Sequence, residues 1–456
     1  MSVWAGVDVG TQSLRVLLAD DDGTVLDRAT VPLTGRRDGA RHEQDPAQWW
    51  SALGMAFRAV DATRVRGLSI CGTSGTFLLS DATGEAQTPA LMYDDARATD
   101  AWALPKLRWL LAHGPAAVRA GLADGRLVLR HCGDHLADRL TGDQVATDWT
   151  SALKSGYDGG WNVPPDVPAS ALPAVVRPGT VIGTVGRDGA AHTGLPVGTS
   201  VHAGLTDGCA AQVAAGALAV GDWNSVLGTT LVVKGVTATR LADPTGAVYS
   251  HRHPDGGWLP GGASNVGAAV VDDRFPGVDR AALDAAAAAH EPAGALVYPL
   301  RTTGERFPFV RPDATAFTVG TFAGDADRYA GLLQGVAFVE RLCYAHLRRL
   351  GADTGGTLTL TGGATRSAYW SRLRADVLGR PVALPATTEP ALGMAVVAAA
   401  GDGDLTATAK RMVRMAGTIE PRAGDRFGEP FARFVDALVA RGYVDAGLAA
   451  YAKEPS

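Results

Sequence analysis

Short solid apolar runs alternate with stretches of helical spacing along the first part of the chain. Val3–Val9 reads as a buried strand, a turn follows at 10–13, and 14–19 reads as a second strand. Asp22-Gly23 is a hairpin signal, because Gly supplies the positive φ of tight hairpin turns, and a third strand follows over 24–28. Asp45-Pro46 places a capping carboxylate and a φ-restricted first residue ahead of Trp49, Trp50, Leu53, Phe57 and Val60, which recur at helical spacing. The next strand, 65–70, ends in the turn Gly72-Thr73-Ser74-Gly75. Strands alternating with helices predict an α/β fold. The stretch 164–196 is rich in Pro, Gly and Val and predicts irregular strands at a domain boundary. Beyond it, 224–233 reads strand–turn–strand around Gly228-Thr229-Thr230. Leu332, Val336, Val339, Cys343, Leu347 and Leu350 share one helical face and predict a core helix stopped at Gly351. Leu358–Thr361 reads as a strand entering Gly362-Gly363, with a helix from about Ser367.

Composition narrows the class. At 456 residues, two large domains are expected, and 46% hydrophobic residues can bury a substantial core. The balance of 47 acidic against 42 basic residues gives −5, which argues against a general nucleic-acid or membrane-surface binder. Cys71, Cys132, Cys209 and Cys343 lie far apart with no CxxC, which excludes a zinc ribbon or disulfide framework and fits a reducing compartment. The N-terminus lacks a basic segment followed by an apolar one, and apolar stretches such as 281–289 are too short to span a bilayer. A soluble cytoplasmic protein is therefore expected. Positive charge is carried by arginine, with lysine confined to Lys106, Lys154, Lys234, Lys410 and Lys453, which reads as compositional bias.

Three turns carry candidate chemistry: Gly10-Thr11-Gln12-Ser13, Gly228-Thr229-Thr230 and Gly362-Gly363-Ala364-Thr365. Glycine lets the backbone approach a ligand, while hydroxyls and backbone N–H groups donate to oxyanions. Two such strand–turn–strand units, one in each half, can grip a polyphosphate, although hairpins use the same residues without one. Asp8 precedes the first turn on an apolar strand, where it either caps the turn or holds hydrated Mg²⁺. Asp207, ahead of an Ala-rich helix at 210–219, is either a helix N-cap or a base for a substrate hydroxyl. Tyr93, Asp95 and Arg97 suit sugar hydroxyls, and a surface salt bridge would leave the same letters. A Walker loop, a protein-kinase motif set, GxGxxG after a strand, HExxH and GxSxG are all missing. His251 and His253 read as a solvated loop.

Taken together, these segments resemble the FGGY carbohydrate kinases nearly end to end. Asp8-Val9-Gly10-Thr11-Gln12-Ser13 is similar to that family's first phosphate loop, and Glu43-Gln44-Asp45-Pro46 with Trp49-Trp50 to its EQDP…WW helix start. Tyr93-Asp94-Asp95-Ala96-Arg97 resembles its W-x-D-x-R sugar motif with Tyr for Trp, and 147–158 resembles a further landmark. The segment 204–207 resembles the one bearing the catalytic aspartate, 224–230 the second phosphate loop, and 258–265 the GGA.N segment that follows. Leu360-Thr361-Gly362-Gly363 and 389–393 resemble the adenosine-binding turn and the late E-x-x-A-L-G helix.

The resemblance implies a two-lobed, actin-like, sugar-kinase and Hsp70 ATPase (ribonuclease H-like) α/β fold. Its lobes would span 1–212 and 213–456, with the last helix, 431–451, packing back on the first, and ATP and sugar in the cleft between. It implies ATP-dependent phosphorylation of a small sugar, with Asp207 as base and Asp8 holding Mg²⁺ through water. Asp8, Gly10, Thr11, Gln12, Ser13, Arg15, Gly228, Thr229, Thr230, Asn265, Gly362 and Gly363 would meet the nucleotide. Thr73, Ser74, Gly75, Tyr93, Asp95, Arg97 and Asp207 would meet the sugar. Gly-Thr-Ser-Gly-Thr at 72–76 resembles short pentulokinases acting on D-ribulose rather than the GQMHG-like loop of many xylulokinases, so D-ribulose is expected ahead of D-xylulose, then glycerol or another polyol. Family members are often dimers, which suggests a homodimer. The expectation from another class is a non-catalytic, nucleotide-gated sugar-binding module, which would be expected to have lost Asp8 or Asp207. A phosphatase of the same superfold is disfavoured by the sugar segment.

Overall fold

In the computed structural model, which describes residues 2–98 and 102–454, the buried strands read from the sequence form the centres of two sheets, one in each of two units. The first unit comprises Met1–Gly216 and Thr387–Arg414, the second Ala217–Ala386 and Met415–Ser456.

The first sheet contains β1 (Val3–Val9), β2 (Ser13–Asp20), β3 (Val25–Pro32), β4 (Val65–Gly72), β5 (Val181–Thr184) and β6 (Ser200–His202), in the order β5-β6-β4-β1-β2-β3. β1, β2 and β3 run as an antiparallel meander, β4 and β6 continue parallel to β1, and β5 closes the edge antiparallel to β6. β1 is buried on both faces apart from Trp4, as expected of a central strand covered on each side. Helix α1 (Pro46–Arg58) lies against β2 and β3 and buries Trp49, Leu53 and Phe57. Asp45 caps it by accepting from the Ala47 N–H at 2.9 Å, and Pro46 occupies its first turn. A smaller sheet joins 36–38, 41–44, 90–91, 77–80 and 128–131. Helix α2 (Asp207–Ala214) follows β6.

The second sheet contains β7 (Trp223–Leu227), β8 (Leu231–Gly235), β9 (Tyr249–Arg252), β10 (Trp258–Ser264), β11 (Leu358–Thr361), β12 (Val382–Pro385) and β13 (Met415–Ile419), in the order β9-β10-β8-β7-β11-β12-β13. Its directions repeat those of the first: an antiparallel β7, β8, β10, then parallel β11 and β12, then antiparallel β13. One topology is thus used twice, and the turns between the first two strands, 10–12 and 228–230, occupy equivalent places. Helix α3 (Asp325–Arg349) is buried along most of its length rather than on one stripe, and Gly351 (φ 92°) ends it. Inside this unit, Glu340 of α3 accepts from Arg374 Nε and Nη2 at 2.7 and 2.8 Å, and the same guanidinium reaches Ser225 Oγ at 2.8 Å.

Between β12 and β13 the chain returns to the first unit, where α4 (Pro390–Ala400) covers β1 and packs on α2. Glycines make this packing possible. A Cβ on Gly6 would stand 1.7 Å from the Ala391 carbonyl oxygen, and one on Gly393 would stand 2.1 Å from that of Ala210.

Several expectations change here. The 164–196 stretch is not a boundary: it supplies edge strand β5 and the helix Arg187–Thr193, and the division falls at 216/217. The segment rejoining the first unit is 387–414. The C-terminal residues instead form two helices, Gly428–Ala440 and Ala446–Lys453, which stay in the second unit because Phe431 and Phe434 pack on Phe338 of α3. His251 and His253 are buried, not solvated, and His251 Nδ1 lies 3.0 Å from Lys234 Nζ. Among the described residues, no helix is long and apolar enough to cross a membrane.

Candidate active site

In the first unit the candidate residues gather at one end of the parallel strands. Asp8, near the end of β1, is buried, and its Oδ2 accepts from Arg15 Nη1 across the β1–β2 pair at 2.9 Å. Its Oδ1 faces the Cys71 thiol, which donates from β4 at 3.6 Å. Asp8 is thus tied to neighbouring side chains rather than capping the turn. Burial pushes its carboxyl above the ordinary range, Asp207 pushes the same way, and Arg15 opposes both. The Cys71 thiol is itself driven well up by burial and by the two carboxylates, which keeps it a neutral donor.

Asp207 is the first residue of α2, with Thr206 at the capping position, so the N-cap reading of Asp207 does not hold. Its Oδ1 accepts from the Gly208 N–H at 2.8 Å. The approach to it is crowded: a Cβ on Gly204 would stand 1.9 Å from the Ile70 carbonyl oxygen, and Thr206 pairs in parallel with Gly72 at the end of β4. The Thr206 N–H donates to Thr150 Oγ1 at 3.0 Å, and that hydroxyl donates to the buried Asp148 at 2.5 Å. Asp207 is therefore carried on backbone fixed from two sides.

The turn after β1 is held by Gln44, whose Nε2 donates to the Thr11 carbonyl at 2.7 Å while its Oε1 accepts from Trp49 Nε1 at 2.8 Å. The Gly10 N–H donates to the Ser13 carbonyl at 3.0 Å, and Gln12 stands exposed. In the turn after β4, Thr73 Oγ1 meets Thr76 Oγ1 at 2.6 Å and Gly75 takes φ 94°. Asp95 is fully buried and accepts from Arg97 Nε and Nη2 at 2.8 and 2.7 Å and from the His42 N–H at 2.8 Å. Arg97 also reaches Glu43 at 2.5 Å and lies over the Trp109 ring. Asp94 pairs with the exposed Arg37 and with the buried His42, and Tyr93 is exposed.

In the second unit, the Gly228 N–H donates to the Thr230 carbonyl at 3.1 Å, and no atom lies within 4 Å of a Cβ built on Gly228, so the turn's outer side is open. Gly267 passes under it, where a Cβ would stand 2.2 Å from the Thr229 carbonyl oxygen. Asn265 is partly committed to the loop: its Nδ2 donates to the Gly304 carbonyl at 3.0 Å and its N–H to Glu305 at 2.7 Å. Gly362 (φ 88°) abuts the end of β7, where a side chain would meet the Leu227 carbonyl oxygen at 2.5 Å. Gly228, Thr229 and Gly363 line a cleft of about 660 Å³ with Asp284, Tyr329 and Ser367. Tyr329 and Ser367 hydroxyls both donate to Asp284, at 2.8 and 2.7 Å.

The structure thus gathers Asp8, Arg15 and Asp207 on one unit and the Gly228, Thr229 and Gly363 backbone on the other. Sequence reasoning passed over Gln44, Thr150 and Asp284 as individual residues. Gln44 and Thr150 lie inside segments already singled out, whereas nothing local marks Asp284.

Residues 3–104 match the N-terminal domain model, and residues 223–401 the C-terminal domain model, of the FGGY family of carbohydrate kinases. A xylulose kinase of Streptomyces coelicolor is 33% identical over 464 residues, covering 91% of this chain and 91% of that protein. The crystal structure of a xylulose kinase from Rhodospirillum rubrum is 27% identical with a TM-score of 0.84, covering 96% of this chain and 99% of that one. A xyloylose kinase from Brucella ovis gives a TM-score of 0.86 at 23% identity, covering 97% of this chain and 100% of that one, and so bears on the fold alone.

Proposed function

Because the chain belongs to the FGGY family of carbohydrate kinases, we propose that it is an ATP-dependent ketopentose kinase with Asp207 as its general base. The observation that carries the reading is the pairing of two carboxylates in the first unit, Asp207 at the start of α2 and the buried Asp8, close enough for the charge of one to raise the other.

In this reading Asp207 accepts the proton of the sugar's terminal hydroxyl as that oxygen bonds to the γ-phosphorus. The bond from the γ-phosphorus to the β,γ-bridging oxygen breaks, and ADP leaves with that electron pair. The transition state of such transfers is loose, so placing the reactants and stabilising charge matter more than the strength of the base. The turn at 10–13, tied down by Gln44, and the open turn at 228–230 offer backbone N–H groups to phosphate oxygens. Thr73, Ser74, Gly75, Tyr93, Asp95 and Arg97 belong to the sugar side. The Asp95–Arg97 pair is buried and mutually satisfied, which suits fixing the shape of the sugar site.

A divalent cation fits beside Asp8. Burial and Asp207 raise the Asp8 carboxyl against the opposing Arg15, so a further positive charge beside it would favour its ionised form. In this reading Asp8 would hold the cation through water. Bound with ATP, Mg²⁺ would neutralise charge on the phosphate oxygens.

Two ketopentoses compete. The 72–76 turn supports D-ribulose, and the names of the relatives support D-xylulose. A coupled ADP-release assay with MgATP against D-ribulose, D-xylulose, L-ribulose, L-xylulose, glycerol and ribitol separates them. Strong turnover on D-ribulose is expected; preference for D-xylulose corrects the substrate, and ATP binding without turnover on any sugar overturns the ketopentose reading.

A further inference from the structure

Lysine is scarce here, yet two of the five lysines converge on one turn. Lys106, on the helix Ala103–His113, is fully buried, and its Nζ donates to the Gly75 carbonyl at 2.9 Å and to the Met92 carbonyl at 2.7 Å. Lys154 Nζ donates to the neighbouring Ser74 carbonyl at 3.3 Å. The Met92 carbonyl also accepts from the Asp95 N–H at 3.0 Å, so Lys106 and the Asp95 backbone share one oxygen. The Lys106 ammonium lies 6.0 Å over the Phe77 ring, just beyond the same turn.

We propose that Lys106 is a positioning residue for sugar recognition, its ammonium pinning the turn 72–75 to the segment 92–97 so that both present fixed edges to the sugar. The inference rests on the reading that these two segments meet the sugar. Geometry explains the residue type. A compact ammonium can donate to two carbonyls converging from different loops, whereas a planar guanidinium needs a wider, flatter acceptor set. The position is electrically tense: burial lowers Lys106 to about 8, Asp95 and Asp94 support its charge, and Lys154 and Arg97 oppose it. Above that pH the clamp loses its charge, and the bonds to both carbonyls weaken.

The full-length variants K106M, K106Q and K106R are assayed on the best ketopentose, alongside hydrogen–deuterium exchange of peptides covering 72–76 and 92–97 without sugar. Losing a charge-assisted bond at a buried site predicts a rise of roughly tenfold or more in KM for the sugar. KM for ATP should stay within about twofold, and exchange should quicken in both segments. K106R should not rescue, and the wild-type rise in sugar KM above pH 8 should vanish in K106Q. Unchanged exchange in both segments overturns the clamp. Faster exchange with an unchanged sugar KM overturns recognition through these segments, and so identifies the underlying reading as the failure. Should K106M not fold, K106Q, which keeps a neutral donor, decides by the same two readouts.

Discussion

Asp207 and His135 show how differently two ionisable side chains can be used in one unit. Asp207 stands at a helix start on backbone held by Thr150 and by the end of β4, a rigid mounting that suits the proposed role of proton acceptor. Asp207→Asn preserves its shape and removes the basic oxygen. Turnover should fall at least ~10²-fold while ATP affinity and the unfolding temperature hold, checked by steady-state kinetics, nucleotide titration and calorimetry. Near-normal turnover would take Asp207 out of the mechanism. His135 is fully buried, with neither ring nitrogen hydrogen-bonded, and packs edge-on to Trp49. Burial first, then Arg139 and Arg130, hold it down to about 4, while Asp134 pulls the other way. Between that value and its ordinary 6.5 the unfolded chain takes up a proton that the folded chain refuses, so stability falls as pH drops through this window. His135→Leu should flatten the acid limb of a stability–pH curve by up to roughly 3 kcal/mol, read by urea unfolding at pH 7 and pH 4.5. An unchanged limb would mean that other groups govern acid unfolding.

Among the elements, the pairing of β1 with α4 is the most demanding. The Ala391 carbonyl oxygen stands where a Gly6 side chain would begin, and because it is backbone, no rotamer change can relieve the clash. Gly6→Ala should therefore cost at or above the upper end of the ~1–3 kcal/mol typical of overpacking, seen as a lower denaturant midpoint. Gly417 on β13 is the matched control, since a Cβ there meets nothing within 4 Å and Gly417→Ala should be near neutral or stabilising. Equal effects at both positions would contradict the close approach. The strands themselves were legible in sequence because Val3–Val9 is a largely apolar run and Leu358–Thr361 pairs two leucines with β-branched threonines, residue types that favour strands. The short edge strand β5 was legible only as part of the irregular strands expected over 164–196, without bounds, since edge positions tolerate the Pro, Gly and mixed polarity found there.

For the whole molecule, the division into units is discontinuous along the chain. The first unit takes its covering helix from 387–414, so residues 1–216 by themselves leave β1 and α2 without α4. Expressed as 1–216, this unit should lack a cooperative thermal transition, and fusing 387–414 through a flexible linker should restore one. A cooperative transition in the shorter piece would show that α4 is dispensable to the core. The repeated strand order also accounts for two Gly/Thr turns of one kind in one chain, because each copy of the topology places a hairpin turn after its first strand.

The sequence by itself determined the α/β class, the three Gly/Thr turns and the two aspartates, because strand periodicity, turn chemistry and neighbouring residue type are local properties. It also carried the family, since the motifs keep their order along the chain. Tertiary structure alone decided what each polar side chain is bonded to. Asp8 is matched to Arg15 and Cys71, Asp95 to the His42 backbone as well as to its near neighbour Arg97, and Lys106 to two carbonyls, and apart from Asp95–Arg97 none of these is fixed by spacing along the chain. It alone buried His251 and His253, which read as solvated only while the strands around them were unknown. It alone returned 387–414 to the first unit, because that contact joins opposite ends of the chain through glycines whose purpose appears only once the two backbones meet.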